Sequence, residues 1–165
     1  MVKGVKFFTC RVAGAVALVS AASASADTYR YITKDEDNAA IFLDESTVVR
    51  HGDVVSYWIM SIDGTYLRGG TPRYAYYLMH QTIDCAGQIM RPTEMSVYAA
   101  TGVRITSDSR GAEAGPIEPG TIEQQLYDLL CRGVETQSLA RMEAETPLQF
   151  ARRFRTESLK YLRRK

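Results

Sequence analysis

The chain is short of the residues that usually carry chemistry. It holds two histidines, His51 and His80, and three cysteines among 165 residues. None of them stands at HxxH, HExxH or CxxC spacing, so the ligand pattern of a metal site is missing. There is no GxSxG elbow, no P-loop and no GxGxxG turn, which removes the motif-borne hydrolases and nucleotide binders. Internal repeats and low-complexity segments are also missing. The apolar run Val12 to Val19 is too short to span a bilayer. What remains is a chain long enough for one domain with a real core.

The first 26 residues read as an export signal. Lys3, Lys6 and Arg11 form a basic start, the apolar run follows, and Ala24-Ser25-Ala26 is a small-x-small cleavage pattern. Ser20, Ser23 and Ser25 interrupt the run, which argues against an anchor helix, and Cys10 precedes it, which argues against a lipoprotein. The mature chain is expected to begin at Asp27. Only Cys85 and Cys131 then remain. An even pair in an exported chain implies a disulfide, worth about 4 kcal/mol on the chain-entropy model. That commitment leaves no thiol nucleophile.

The overall charge of +1 hides two unequal parts. From Asp27 to Thr146 there are ten basic against eighteen acidic side chains, a net of −8; from Pro147 to Lys165 there are seven against one, a net of +6. A nucleic-acid face needs basic residues interleaved with aromatics, and the acidic body does not supply it. The basic tail has three readings: an amphipathic helix docked on its own domain, a helix lying on an anionic membrane or polymer, or a solvated end.

Strand signals dominate the body. Tyr29 to Thr33 and Ala39 to Leu43 are short β-prone runs separated by a charged turn. Asp44 to Thr47 reads as a single turn, and Arg50-His51-Gly52-Asp53 as a hairpin with Gly52 at positive φ. Val54 to Ile62 is apolar on both faces, as a central covered strand should be. Thr65 to Arg73 reads as a flexible loop. Tyr74 to Cys85 and Gln88 to Ala100 form a long hairpin, with Pro92 forcing a bulge or an edge. Val103 to Thr106 can add a short strand, and Ser107 to Gly120 reads as a loop. Thr121 caps a helix with Gln124 three residues on, and Gly133 stops it. Ser138 to Lys165 reads as a separate helical stretch interrupted at Pro147.

The binding candidates are Arg68, Arg73, Tyr74 and Tyr76, where arginine and tyrosine cluster beside the flexible loop in the mixture that interfaces favour. His80 as a general base is weighed against a partly exposed strand histidine. Catalytic residues, metal and cofactor are expected to be none.

The ordered set Ile41-Phe42-Leu43-Asp44, Val48-Val49-Arg50-His51-Gly52, the tryptophan strand Val54 to Ile62, Asp84-Cys85, Met95 to Tyr98 and Pro119-Gly120-Thr121 before a helix ending at Cys131 resembles the surface-adhesin protein E family of bacterial envelope proteins. The resemblance covers about Tyr29 to Cys131. It implies an antiparallel sheet with a C-terminal helix tied to it by a disulfide, and an envelope location. Its best-known members look like adhesins for host matrix proteins.

The expectation is an α+β domain: an antiparallel sheet of five or six strands, one helix across it held by Cys85–Cys131, and a helical basic extension. The segments are a signal peptide over 1–26, an adhesin-like domain over 27–133 and the extension over 134–165. The function expected is a non-enzymatic binding module in the periplasm, at the cell surface or secreted. Its partner is a protein or a matrix or envelope component, with an anionic surface a further contact for the tail. The alternatives are a periplasmic enzyme and a structural accessory of the envelope. A deep pocket uniting acids with His80 would favour the enzyme; a shallow sheet face would favour binding.

Overall fold

Alternating side chains and tight turns send the chain back and forth in a meander. The structure, a computed structural model, describes residues 27–135, 141–144 and 146–164. The expected signal peptide lies outside those residues. Strands β1 (Asp27–Lys34), β2 (Ala40–His51), β3 (Val54–Ile62), β4 (Tyr76–Asp84), β5 (Ile89–Tyr98) and β6 (Arg104–Asp108) pair each with the next, all antiparallel. Two further strands were not anticipated: β7 (Gly115–Pro116) beside β5, and β8 (Arg141–Ala144) beside β1. The order is β6-β5-β4-β3-β2-β1-β8. The described sheet thus has eight strands rather than five or six. Both additions are too short to announce themselves by alternation, and each is a strand only because a partner edge lies beside it.

The turn chemistry behaves as expected in several places. Gly52 takes φ 61° in the β2–β3 hairpin. Pro92 sits at a bulge: Gln81 faces Pro92 while His80 faces Glu94, leaving Thr93 as the extra residue. Asp44 to Thr47 is corrected. It is not a turn between two strands but an irregularity inside β2, where the register jumps between Asp44 and Val49. The Asp44 carboxylate accepts from the backbone N–H and the hydroxyl of Ser46, and Thr47 Oγ1 donates to the Asp44 carbonyl, so side chains satisfy the groups the ladder leaves free. The loop after β3 is also more ordered than its composition suggests. Asp63 caps a one-turn helix, α1 (Gly64–Leu67), by accepting from Tyr66 N–H at 2.8 Å. Glycine is required at position 64, since a Cβ there would come within 2.4 Å of the Asp37 carbonyl oxygen.

Each face of the sheet is covered by one helix. Helix α2 (Ile122–Arg132) starts at Thr121, whose hydroxyl accepts from Gln124 N–H at 3.2 Å, and stops at Gly133 with φ 66°. Its Leu126 and Tyr127 bury against Ile32, Ile41, Leu43, Val55, Tyr57 and Ile83. The disulfide joins Cys85 at the end of β4 to Cys131, with Cα atoms 5.5 Å apart. Two polar ties reinforce the tether: Tyr127 OH donates to the Cys85 carbonyl at 3.3 Å, and Arg50 Nη2 donates to the Leu130 carbonyl.

Helix α3 (Pro147–Leu162) covers the opposite face, so the C-terminal extension packs on the sheet. Thr146 caps it and Pro147 occupies its first turn, where a missing N–H costs nothing. Phe150 is fully buried, stacked 4.2 Å from Tyr29 and edge-on to Phe42 at 4.8 Å. Arg155 Nε donates to the Tyr66 carbonyl at 2.9 Å while its guanidinium lies over the Tyr66 ring. Around β8, Arg30 and Arg141 both pair with Glu45 and Glu135, linking the C-terminal strand to β1 and β2. The stretch after residue 133 is therefore strand as well as helix. The helix signal in its sequence hid the strand because Arg141–Ala144 carries only Met142 and Ala144 as apolar residues.

Candidate functional site

The four residues singled out from the sequence do not form one patch. Arg68 follows α1 and stands on the rim of a cleft of about 500 Å³. Arg73 is exposed in the loop and does not line that cleft. Tyr74 is half-buried near the β1–β2 turn. Burial raises its pKa first, and the carboxylates of Asp63, Asp35 and Asp37 raise it further. Tyr76 is corrected outright: it is 3% exposed, its ring stacked on Tyr98 at 4.8 Å, and its hydroxyl is pushed up to about 12, chiefly by burial. Its side chain belongs to the core under α3. The sequence placed Tyr76 on the right strand, but only the docking of α3 decides that its face is covered.

The cleft is built by α1 and the last turns of α3. Leu67, Phe154, Tyr161 and Leu162 provide apolar walls, and Lys34 and Arg68 stand on the rim. Tyr161 and Leu162 are 60% and 48% exposed, large apolar surfaces to leave in water at the end of a helix. Their position follows from helix geometry. Phe150 and Phe154 point one stripe of α3 at the sheet, and the helix then runs past the sheet, so its next apolar residues border α1 instead. Sequence reasoning missed this cleft. The signal was the continued apolar spacing Leu159, Tyr161, Leu162 beyond the part of the helix that the sheet can cover.

His80 lies half-buried on the sheet face, its Nδ1 sharing a hydrogen bond with the Thr93 hydroxyl, which also donates to the His80 carbonyl at 3.2 Å. It does not line the cleft. Among the described residues no group of three or more His, Cys, Asp or Glu side chains could hold a metal ion, and no helix is long and apolar enough to cross a membrane.

A disulfide-tethered sheet clasped by two helices, with an apolar cleft at one end, defines a binding module. The chain belongs to the surface-adhesin protein E family, whose model matches residues 29–132. It is thereby an adhesin-like binding module of the cell envelope, in a family of exported surface adhesins engaged with protein or extracellular-matrix partners. Solved structures of Haemophilus influenzae protein E are similar to it. One is 14% identical with a TM-score of 0.48, covering 62% of this chain and 84% of that one. A second crystal form is 12% identical with a TM-score of 0.47, covering 62% and 87%. Protein E from a non-typeable strain is 14% identical with a TM-score of 0.46, covering 62% and 75%. No curated protein matches the chain.

Proposed function

We propose that this protein is exported by its first 26 residues and binds a partner protein through the α1–α3 cleft, which receives an apolar anchor side chain. The observation that carries the reading is the pairing of exposed Tyr161 and Leu162 with buried Leu67 and half-buried Phe154. A cleft of about 500 Å³ lies inside the ~300–1,000 Å³ range of sites that enclose a ligand group. Interfaces draw most of their energy from a few aromatic or arginine anchors around such a pocket, and Tyr161 and Arg68 are of that kind. Arg68 is thus retained from the sequence-derived set, with Arg73 and Tyr74 as peripheral contacts.

The tail's part in binding is narrower than a helix lying on a membrane. Its apolar stripe is spent on Tyr29 and Phe42, which supports the self-docked reading. Arg163 and Arg164 remain exposed at the end of the helix, so an anionic surface can still meet them.

The test is capture of envelope and matrix proteins by the purified protein, compared with Leu162→Asp and Tyr161→Ala variants and with polyanion-coated and liposome surfaces. Saturable protein binding that Leu162→Asp abolishes is expected. Binding unchanged by both substitutions refutes the cleft, and binding only to polyanions moves the function to the basic helix end.

A further inference from the structure

A second site lies on the sheet face that α3 only partly covers. Cross-strand register aligns one residue from each of four neighbouring strands: Asp44 faces Trp58, Trp58 faces His80, and His80 faces Glu94. Directly opposed residues share a face, so an aromatic pair is flanked by a carboxylate at each end. The rings of Trp58 and His80 are 5.1 Å apart. At the Asp44 end the face sinks into a hollow of about 160 Å³ lined by Asp44, Trp58, Tyr29, Leu78 and Pro147.

We propose that this hollow binds an alkylammonium or guanidinium group. Its size sets the first limit. At about 160 Å³ it is well below the ~300–1,000 Å³ of sites for drug-sized ligands, and suits one side chain or one small cation. Charge sets the second. Asp44 is 7% exposed, and its Oδ1 takes both hydrogen bonds from Ser46. Yet the described ion pairs of this chain engage Glu45, Glu135, Asp108, Asp128 and Glu157, not Asp44 or Glu94. Asp27 adds negative charge nearby, its carboxylate accepting from Tyr29 OH at 3.4 Å. Burial raises the Asp44 pKa, the Ser46 bonds oppose that, and Asp27 adds to it; no cation enters the balance. Pro147, at the mouth of α3, has no N–H to offer, and the helix end supplies at most about half a positive charge. A carboxylate this dry beside an indole is matched by a cation that pairs with the one and lies against the other. The site is separate from the α1–α3 cleft and does not depend on it.

Trp58 is the chain's single tryptophan, so its fluorescence reads the site directly. The intact protein is titrated with n-butylammonium chloride, methylguanidinium chloride and a hexalysine peptide, each against sodium chloride of equal ionic strength. A saturable change in Trp58 emission with the organic cations but not with sodium is expected. Asp44→Asn should weaken it by about tenfold or more while the circular dichroism spectrum stays that of the parent. Tighter binding of hexalysine than of butylammonium assigns the cation to a partner's side chain; equal binding per amine assigns it to a free small amine. Should Asp44→Asn not fold, amide chemical-shift mapping on the parent replaces it, with shifts expected around Ser46 and Trp58. No saturable response, an unchanged response in Asp44→Asn, or shifts centred elsewhere overturns the site.

Discussion

Replacing Phe150 with alanine asks whether the C-terminal helix is part of the folded unit. The ring is fully buried, stacks on Tyr29 at 4.2 Å and meets Phe42 edge-on at 4.8 Å, with Phe154 also packed on Phe42 at 4.8 Å. Truncating a buried phenylalanine costs about 3–5 kcal/mol from lost transfer energy and the cavity left behind. Two ring contacts and a rigid sheet beneath, which limits collapse, place the expected loss near the upper end, about 4 kcal/mol. Against a typical total of ~5–15 kcal/mol this is a large fraction. Urea unfolding followed by far-ultraviolet circular dichroism and by Trp58 emission separates two outcomes. If α3 belongs to one cooperative unit, the midpoint falls, both probes shift together and the slope is unchanged. If the helix merely rests on the sheet, the helical signal melts early and Trp58 is undisturbed. A loss below about 1 kcal/mol would refute the reasoning, because it would put Phe150 outside a packed core. Tyr161→Ala, at a position 60% exposed, is the control and should change stability by no more than about 0.5 kcal/mol.

Removing the tether with Cys85→Ser and Cys131→Ser, whose positions are 46 residues apart, should cost about 4 kcal/mol, read as a lower urea midpoint that reductant does not lower further. Gly64→Ala should destabilise by about 1–3 kcal/mol, because the new methyl meets the Asp37 carbonyl oxygen at 2.4 Å and the Asn38 carbonyl carbon at 2.8 Å, backbone atoms that cannot swing away. A melting temperature within error of the parent would count against that contact. Burial lifts the folded pKa of Asp44 above its unfolded value of 3.8, so the folded state holds that proton more tightly. The resulting cost is absent below pH 3.8, grows as pH rises toward the lifted value, and is constant above it. Asp44→Asn should therefore gain stability over the parent as pH climbs through that window, and a difference independent of pH would contradict the assignment.

The sequence by itself carried what is local or covalent. Cys85 and Cys131 were identifiable as partners because Cys10 falls within the stretch that reads as an export signal. Thr121 and Gly133 marked the ends of α2, Gly52 marked a hairpin and Pro92 a bulge or an edge, each by backbone chemistry confined to a few residues. The ordered motifs from Ile41 to Cys131 sufficed for the family. Only the tertiary structure decided the rest, and the reason is register. Period-two alternation says which residues share a face within a strand, but not what lies opposite them or what covers them. The jump between Asp44 and Val49 in β2 and the extra Thr93 in β5 set which residues meet. Those offsets bring Asp44, Trp58, His80 and Glu94 into one row. The burial of Tyr76 and the strand character of Arg141–Ala144 likewise follow from long-range docking of α3 and β8, which no short window of sequence contains.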